Sequence, residues 1–245
     1  MTFLDNPSPN FDARPDGVRP ELLVLHYTDT VDVAETLSYL LDPKREVSAH
    51  YLVAEDGAVH RLVAEDKRAW HAGKSCWRGL RDVNARSIGI EIQNPGHRCG
   101  YREFPAAQID AVIALGLEIA ARHAIAPRDV LAHSDVAPAR KKDPGELFPW
   151  ERLAQAGLGL YPGHVARRQR STRSFGVGDT DDAVGDAQTL LARYGYDCPA
   201  TSTLDEATHA VLIAFQRRFR AWNFDGRLDG ETHARIRALV EMAGD

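Results

Sequence analysis

The chain has 245 residues, with 30 Lys and Arg against 35 Asp and Glu, a formal net charge of −5 and 44% hydrophobic residues. This length suits one large or two modest domains, the composition is that of an ordinary globular protein, and the mildly acidic balance without long charge runs argues against nucleic acid as a partner. No run of about 18 uncharged apolar residues occurs, so no membrane-inserted helix is expected. The N-terminal MTFLDNPSPNFDARPDG lacks the basic and apolar regions of a signal peptide. On that basis a cytoplasmic location is favoured, with the cell envelope as the alternative if export takes another route. Cys76, Cys99 and Cys198 are odd in number and form no CxxC. They indicate neither a disulfide framework nor a thiolate metal site, and a Cys76–Cys99 bridge stays open.

Residues 1–20 are rich in Pro, Asn, Asp and Gly and read as an extended lead-in. Residues 21–27 are an apolar run too short for a helix, hence a buried strand ending near His26. Asp29, Thr30 and Asp32 offer cap chemistry for a helix reaching Leu41, which Asp42-Pro43 ends. His50–Ala54 and Val59–Val63 read as strands of a hairpin turning at Glu55-Asp56-Gly57-Ala58. A loop-rich stretch from Ala69 to Ala85 carries Trp70, His71, Gly73, Trp77, Gly79 and Asn84, the composition of a binding surface.

Ser87–Gln93 is a strand with Glu91 inside an apolar run, where a carboxylate is costly without a partner or a task. Pro105–His123 has the apolar spacing of an amphipathic helix. Val130, Leu131 and Ala132 form a short strand that delivers His133, and Asp143 follows ten residues later in a Lys-Lys-Asp-Pro-Gly turn. Pro149–Leu158 reads as a short final helix. Strands and helices interleave to this point, which predicts an α/β fold with a mixed β-sheet flanked by helices.

Residues 159–178 lose apolar periodicity and gather Arg167, Arg168, Arg170 and Arg173 with Ser, Thr and Gly. They read as an exposed linker, giving a first domain over 1–160, a linker over 161–178 and a second unit over 179–245. Asp182–Tyr194, Asp205–Trp222 and Gly230–Ala243 each show a helical apolar face, so the second unit is a small all-α three-helix domain. It has no His/Asp/Glu constellation and is assigned no chemistry.

His26, His133 and Asp143 offer two imidazoles and a carboxylate, a set that leaves zinc's fourth position open for water, as in catalytic sites. Glu91 suits the proton acceptor and Lys141 the cation that faces a developing oxyanion. Residue types alone leave competitors: Asp135 for Asp143, and His50, His60, His71 and His123 for the two histidines.

Four segments narrow the choice: LVLHYTDT, SAHYLVAEDG, WHAGKSCWRGLRDVNARSIGIEIQNPG and AHSDVAPARKKDPGELFPW. Together, over roughly residues 8–160, they resemble the zinc-dependent N-acetylmuramoyl-L-alanine amidases of the type 2 amidase family, nearest its AmpD/AmiD-like branch. The resemblance implies one zinc ion held by His26, His133 and Asp143, catalysis by Glu91 and Lys141, and a substrate groove lined by Trp70, His71, Ala72 and Asn84. It implies peptidoglycan or muropeptides as substrate, cut between the lactyl group and L-alanine. AVGDAQTLLARYGYD, STLDEATHAVLIAFQRRFR and FDGRLDGETHARIRAL resemble the three-helix peptidoglycan-binding domain type 1, with Ser202-Thr203 where a Gly is usual.

Two other functions compete. The same fold serves as a non-catalytic peptidoglycan receptor, against which Asp143, Glu91 and Lys141 speak. A glycosidase needs two carboxylates flanking the bond, and here the carboxylates accompany histidines. A wall-binding unit favours polymeric wall, whereas the N-terminus favours a cytoplasmic recycling role.

Overall fold

The structure, a computed structural model, describes residues 2–163 and 173–244. The lead-in is extended and contributes two short strands, β1 (Phe3–Asp5) and β2 (Phe11–Ala13). Strand β3 (Leu22–Tyr27) follows, then α1 (Val33–Leu40), capped where the Asp32 carboxylate accepts from the Glu35 N–H. The hairpin is formed by β4 (Tyr51–Val53) and β5 (Val59–Arg61), which pair antiparallel. Strand β6 (Lys67–Ala69) pairs with β2. A short helix α2 (Val83–Arg86) leads into β7 (Ser87–Ile92), followed by α3 (Gly96–Cys99) and the long α4 (Ala106–His123). Strand β8 (Val130–Ala132) runs straight into α5 (His133–Val136), and α6 (Trp150–Gln155) closes this half.

The central sheet has the order β1-β5-β4-β7-β3-β8, and every neighbouring pair except β4–β5 is parallel. Strands covered on both faces read as continuous apolar runs, as LLVL and SIGI do here. The period of two then sorts their side chains. Leu23, Leu25, Ile88, Ile90 and Ile92 pack with Ile109, Val112 and Leu115 of α4. Leu22, Val24 and Leu131 face the other way. One step further along β3 on that second face is His26, and one step beyond Leu131 and Ala132 is His133.

The second face is covered by the C-terminal helices. These are α7 (Asp182–Tyr194), α8 (Glu206–Phe219) and α9 (Gly230–Met242), with a small two-stranded ladder of β9 (Ser174–Phe175) and β10 (Leu228–Asp229). Each helix begins at an Asp: Asp181, Asp205 and Asp229 accept from the N–H groups of Ala183, Thr208 and Thr232. Strand β9 lies within the stretch read as linker, because residues 174 and 175 gain backbone partners on β10 that local composition does not announce. Arg167, Arg168 and Arg170 lie outside the described residues. At the unusual Ser202-Thr203 turn, Ser202 takes a left-handed φ of 60° and its N–H is held by the Gln188 side chain at 2.9 Å.

Tyr194, Tyr196, Phe215 and Phe219 of the helical unit share one apolar cluster with Leu22, Val24, Trp77, Leu131 and Val136 of the sheet half. The Trp77 ring meets Tyr194 and Tyr196 edge-on, with centroids 5.6 and 5.2 Å away. All three cysteines are free thiols, Cys76 and Cys198 buried and Cys99 exposed. No helix among the described residues is long and apolar enough to cross a membrane.

Candidate metal centre

His26 and Glu91 are direct partners in the parallel register of β3 and β7, so their side chains leave the sheet on the same face. His133 sits where β8 becomes α5, and the Ser134 N–H donates to the Asp143 carbonyl at 3.1 Å, tying the His133 and Asp143 segments together. The result is a cluster of His26 Nδ1, His133 Nδ1 and Asp143 Oδ2, separated pairwise by 2.8, 2.9 and 3.1 Å and all buried. It is the cluster of metal-ligating side chains that the described residues form.

The hydrogen bonds behind the ligands decide which ring nitrogens carry protons. Ser87 Oγ donates to the Val83 carbonyl at 2.6 Å, so at 3.0 Å it accepts from His71 Nε2–H. His71 Nδ1 is then a bare acceptor, and it accepts a hydrogen bond from His26 Nε2–H at 3.0 Å. His133 Nε2–H donates to the Ala72 carbonyl at 3.1 Å. Both Nδ1 atoms therefore point lone pairs at a carboxylate oxygen about 3 Å away, an arrangement that repels itself unless a cation sits between. Donors of a tetrahedral zinc ion stand about 3.3 Å apart at its usual bond lengths of about 2.0–2.1 Å, so a slight outward shift of these three seats the ion. The residues fit a metal.

Electrostatics agree. Burial, and next the neighbouring His133, lower His26 to about 4, so its imidazole is neutral at physiological pH. Burial pushes the Asp143 carboxyl upward, and positive charge at the His133 and His26 positions, which a metal ion would supply once the rings are neutral, more than offsets this and holds it below the ordinary range. Glu91 goes the other way: burial, reinforced by the Asp143 charge and opposed by Lys141, raises it well above an ordinary carboxyl. Its Oε2 is buried with no hydrogen-bond partner.

These groups sit at the floor of an open cavity of about 560 Å³ whose walls include Tyr27, Thr30, Tyr39, His97, Arg98 and Lys142. Lys141 lines the same cavity, as do Glu91 and His71. Of the four residues expected along the groove, His71 alone is among the cavity lining. Ala72 and Asn84 are buried behind it, where Asn84 Oδ1 accepts from the N–H groups of His71 and Ala72 at 3.1 and 2.8 Å. Trp70 is half-buried, and its backbone N–H is fixed on Ser48. This segment orients the two ligand rings, the first through the His71 side chain and the second through the Ala72 carbonyl. The competing residues go elsewhere: Asp135 accepts from Arg218 and Tyr196, His60 bonds Asn6, His123 bonds Glu65, and His50 accepts from the Gly89 N–H. Sequence reasoning missed Tyr27 and His97, whose 2.9 Å hydrogen bond and adjacent rings build one wall of the cavity.

Comparisons with known proteins point the same way. The N-acetylmuramoyl-L-alanine amidase family model matches residues 16–146, and a peptidoglycan binding domain model matches residues 180–236. The chain is 41% identical over 238 residues to the N-acetylmuramoyl-L-alanine amidase AmiD of Escherichia coli, covering 92% of this chain and 84% of that protein. It is 34% identical over 164 residues to the 1,6-anhydro-N-acetylmuramyl-L-alanine amidase AmpD of the same species, covering 60% of this chain and 87% of the relative. The solved complex of Escherichia coli AmiD with anhydro-N-acetylmuramic acid-L-Ala-D-γ-Glu-L-Lys superimposes with a TM-score of 0.78 at 39% identity, over 94% of this chain and 93% of that one. AmpDh3 of Pseudomonas aeruginosa, in complex with anhydromuramic pentapeptide, gives a TM-score of 0.75 at 34% identity, over 94% of each chain.

Proposed function

The chain belongs to the N-acetylmuramoyl-L-alanine amidase family, and on that premise we propose how its own residues cut the amide between the lactyl group of N-acetylmuramic acid and L-alanine. His26, His133 and Asp143 would hold one zinc ion. A zinc ion bound there would supply Lewis acidity toward a water and the scissile carbonyl. Glu91 takes a proton from the attacking water and passes it to the departing L-alanine nitrogen. Its raised pKa suits both tasks, since a carboxyl lifted above the ordinary range by burial is a stronger base than a free one and can still hand its proton to a leaving amine. Lys141, at the cavity wall, places its ammonium against the oxyanion that forms at the carbonyl. The products are the free amino-sugar chain and the stem peptide.

The observation that carries this reading is the meeting of three buried, proton-free donor atoms beside one buried carboxyl without a partner. The C-terminal helices, as a peptidoglycan-binding domain over 179–245, hold the enzyme on polymeric wall. Anhydro-muropeptides, bound in the solved relatives, are the alternative substrate.

The test is product analysis. Purified protein is incubated with intact sacculi and with defined muropeptides, with and without a chelator, and products are identified by mass spectrometry. Release of stem peptide beginning with L-alanine, abolished by chelator and restored by zinc, is the expected result. Tight binding of sacculi without any cleavage would overturn it and leave a receptor.

A further inference from the structure

The wall-binding half of the chain also reaches into the support of the metal site. Asp135, two residues after the ligand His133, is fully buried, and so is its partner Arg218 on α8. Its Oδ2 accepts from the Ala132 N–H at 2.8 Å, pinning the bend at which β8 presents His133, and also from the Arg218 guanidinium. Its Oδ1 accepts from the Tyr196 hydroxyl at 2.7 Å. Arg218 donates a second bond, to the Val130 carbonyl on β8 itself, at 2.9 Å, and its guanidinium stacks 4.0 Å above the Trp150 ring. Two of the three groups bonded to Asp135 thus come from the C-terminal unit, and the third is the backbone that aims a ligand.

The same bend carries the rest of the site. The Ala137 N–H donates to the His133 carbonyl at 3.0 Å, the Lys141 N–H to the Ala137 carbonyl at 2.9 Å, and the Ser134 N–H to the Asp143 carbonyl at 3.1 Å. A movement of α5 displaces His133, Lys141 and Asp143 together. Groups that orient metal ligands through hydrogen bonds set metal affinity as well as fold.

We propose that Arg218 and Tyr196 of the C-terminal unit are positioning residues of the metal site, acting on His133 and Asp143 through Asp135. The helical unit is then a fixed part of the active centre in addition to being a wall anchor. This inference rests on the metal-site reading above.

The experiment uses the full-length chain and the Tyr196→Phe and Arg218→Lys variants. Arg220→Lys serves as the control, because Arg220 is equally buried in α8's unit but pairs with Asp229 and Thr232 inside it. Zinc affinity is read by competition with a chromophoric chelator, without substrate. Thermal unfolding of the metal-free proteins and kcat and KM at saturating zinc are measured beside it. Tyr196→Phe and Arg218→Lys are expected to weaken zinc binding by about 10-fold or more and to lower kcat with little change in KM, while Arg220→Lys lowers the unfolding temperature and leaves zinc affinity unchanged. Zinc affinities of Tyr196→Phe and Arg218→Lys equal to that of the parent, with earlier unfolding alone, would overturn the proposal and make the contact an inter-unit fastening only. A parent chain without zinc affinity would overturn it together with the metal reading, whereas a parent that binds zinc but cuts nothing fails as an amidase and leaves this comparison intact.

Discussion

His26 and Glu91 stand opposite each other in the parallel register of β3 and β7, so the proposed metal ligand and the proposed proton carrier leave the sheet side by side. The pairing puts the carboxyl within reach of the ligand cluster without making it a fourth ligand. Its position is set by two strands whose other residues, Ile88, Ile90, Leu23 and Leu25, are completely buried. A group fixed on such a frame needs no rearrangement to act.

Glu91→Ala removes the proposed proton carrier and leaves the three donors in place. Turnover is expected to fall by about 10²–10⁴-fold, the usual contribution of a positioned acid–base group, with zinc content unchanged by elemental analysis. Near-parental turnover in this variant would remove Glu91 from the mechanism.

Lys141→Met keeps most of the side-chain volume and deletes the charge. A lost oxyanion contact lowers kcat by about 10²–10³-fold, and zinc affinity should hold because the Lys141 side chain is not a ligand. A change confined to KM would instead make Lys141 a substrate-binding residue.

Much of this was legible in the primary structure, and for physical reasons. Strands β3, β7 and β8 are covered on both faces and so are written as short apolar runs, and His26 and His133 stand where those runs stop. The three C-terminal helices show their apolar faces at helical spacing. What was not legible depends on partners distant in the chain. Strands β1 and β2 have exposed side chains and are strands only because β5 and β6 pair with them. His71 and Asp135 look like ligands by residue type, and only the topology turns the first into a support for His26 and the second toward Arg218.

His50 links the fold to pH. Burial, and next the charge of Arg14, depress its pKa from 6.5 to about 3. Its Nδ1 accepts from the Gly89 N–H at 2.9 Å, so the folded state holds it neutral. The unfolded chain binds this proton below pH 6.5 and the folded chain does not until near 3. The contribution of His50 is therefore complete above the unfolded value and is lost as pH falls toward the folded one, with a slope of about 1.4 kcal/mol per pH unit for one proton. Urea unfolding across that window should show a shallower loss in His50→Gln than in the parent. Parallel pH profiles would mean that His50 protonates equally in both states.

Gly89→Ala tests the support of His26 from the opposite side. A Cβ on Gly89 would lie 2.5 Å from the His71 ring, closer than atoms approach, so the ring must move. Moving it breaks the bond from His26 Nε2 and frees the His26 ring to turn and to carry its proton on Nδ1, the atom proposed to bind the metal. Zinc affinity should drop by about 10–100-fold, the usual cost of losing a group that orients a ligand. His71→Phe should weaken zinc similarly without any change at Gly89, since it deletes the acceptor and keeps the ring's bulk. Chelator competition on both variants measures this directly. Weakened zinc binding in Gly89→Ala but not in His71→Phe would trace the loss to distortion of β7 and would deny His71 its part in setting the His26 tautomer.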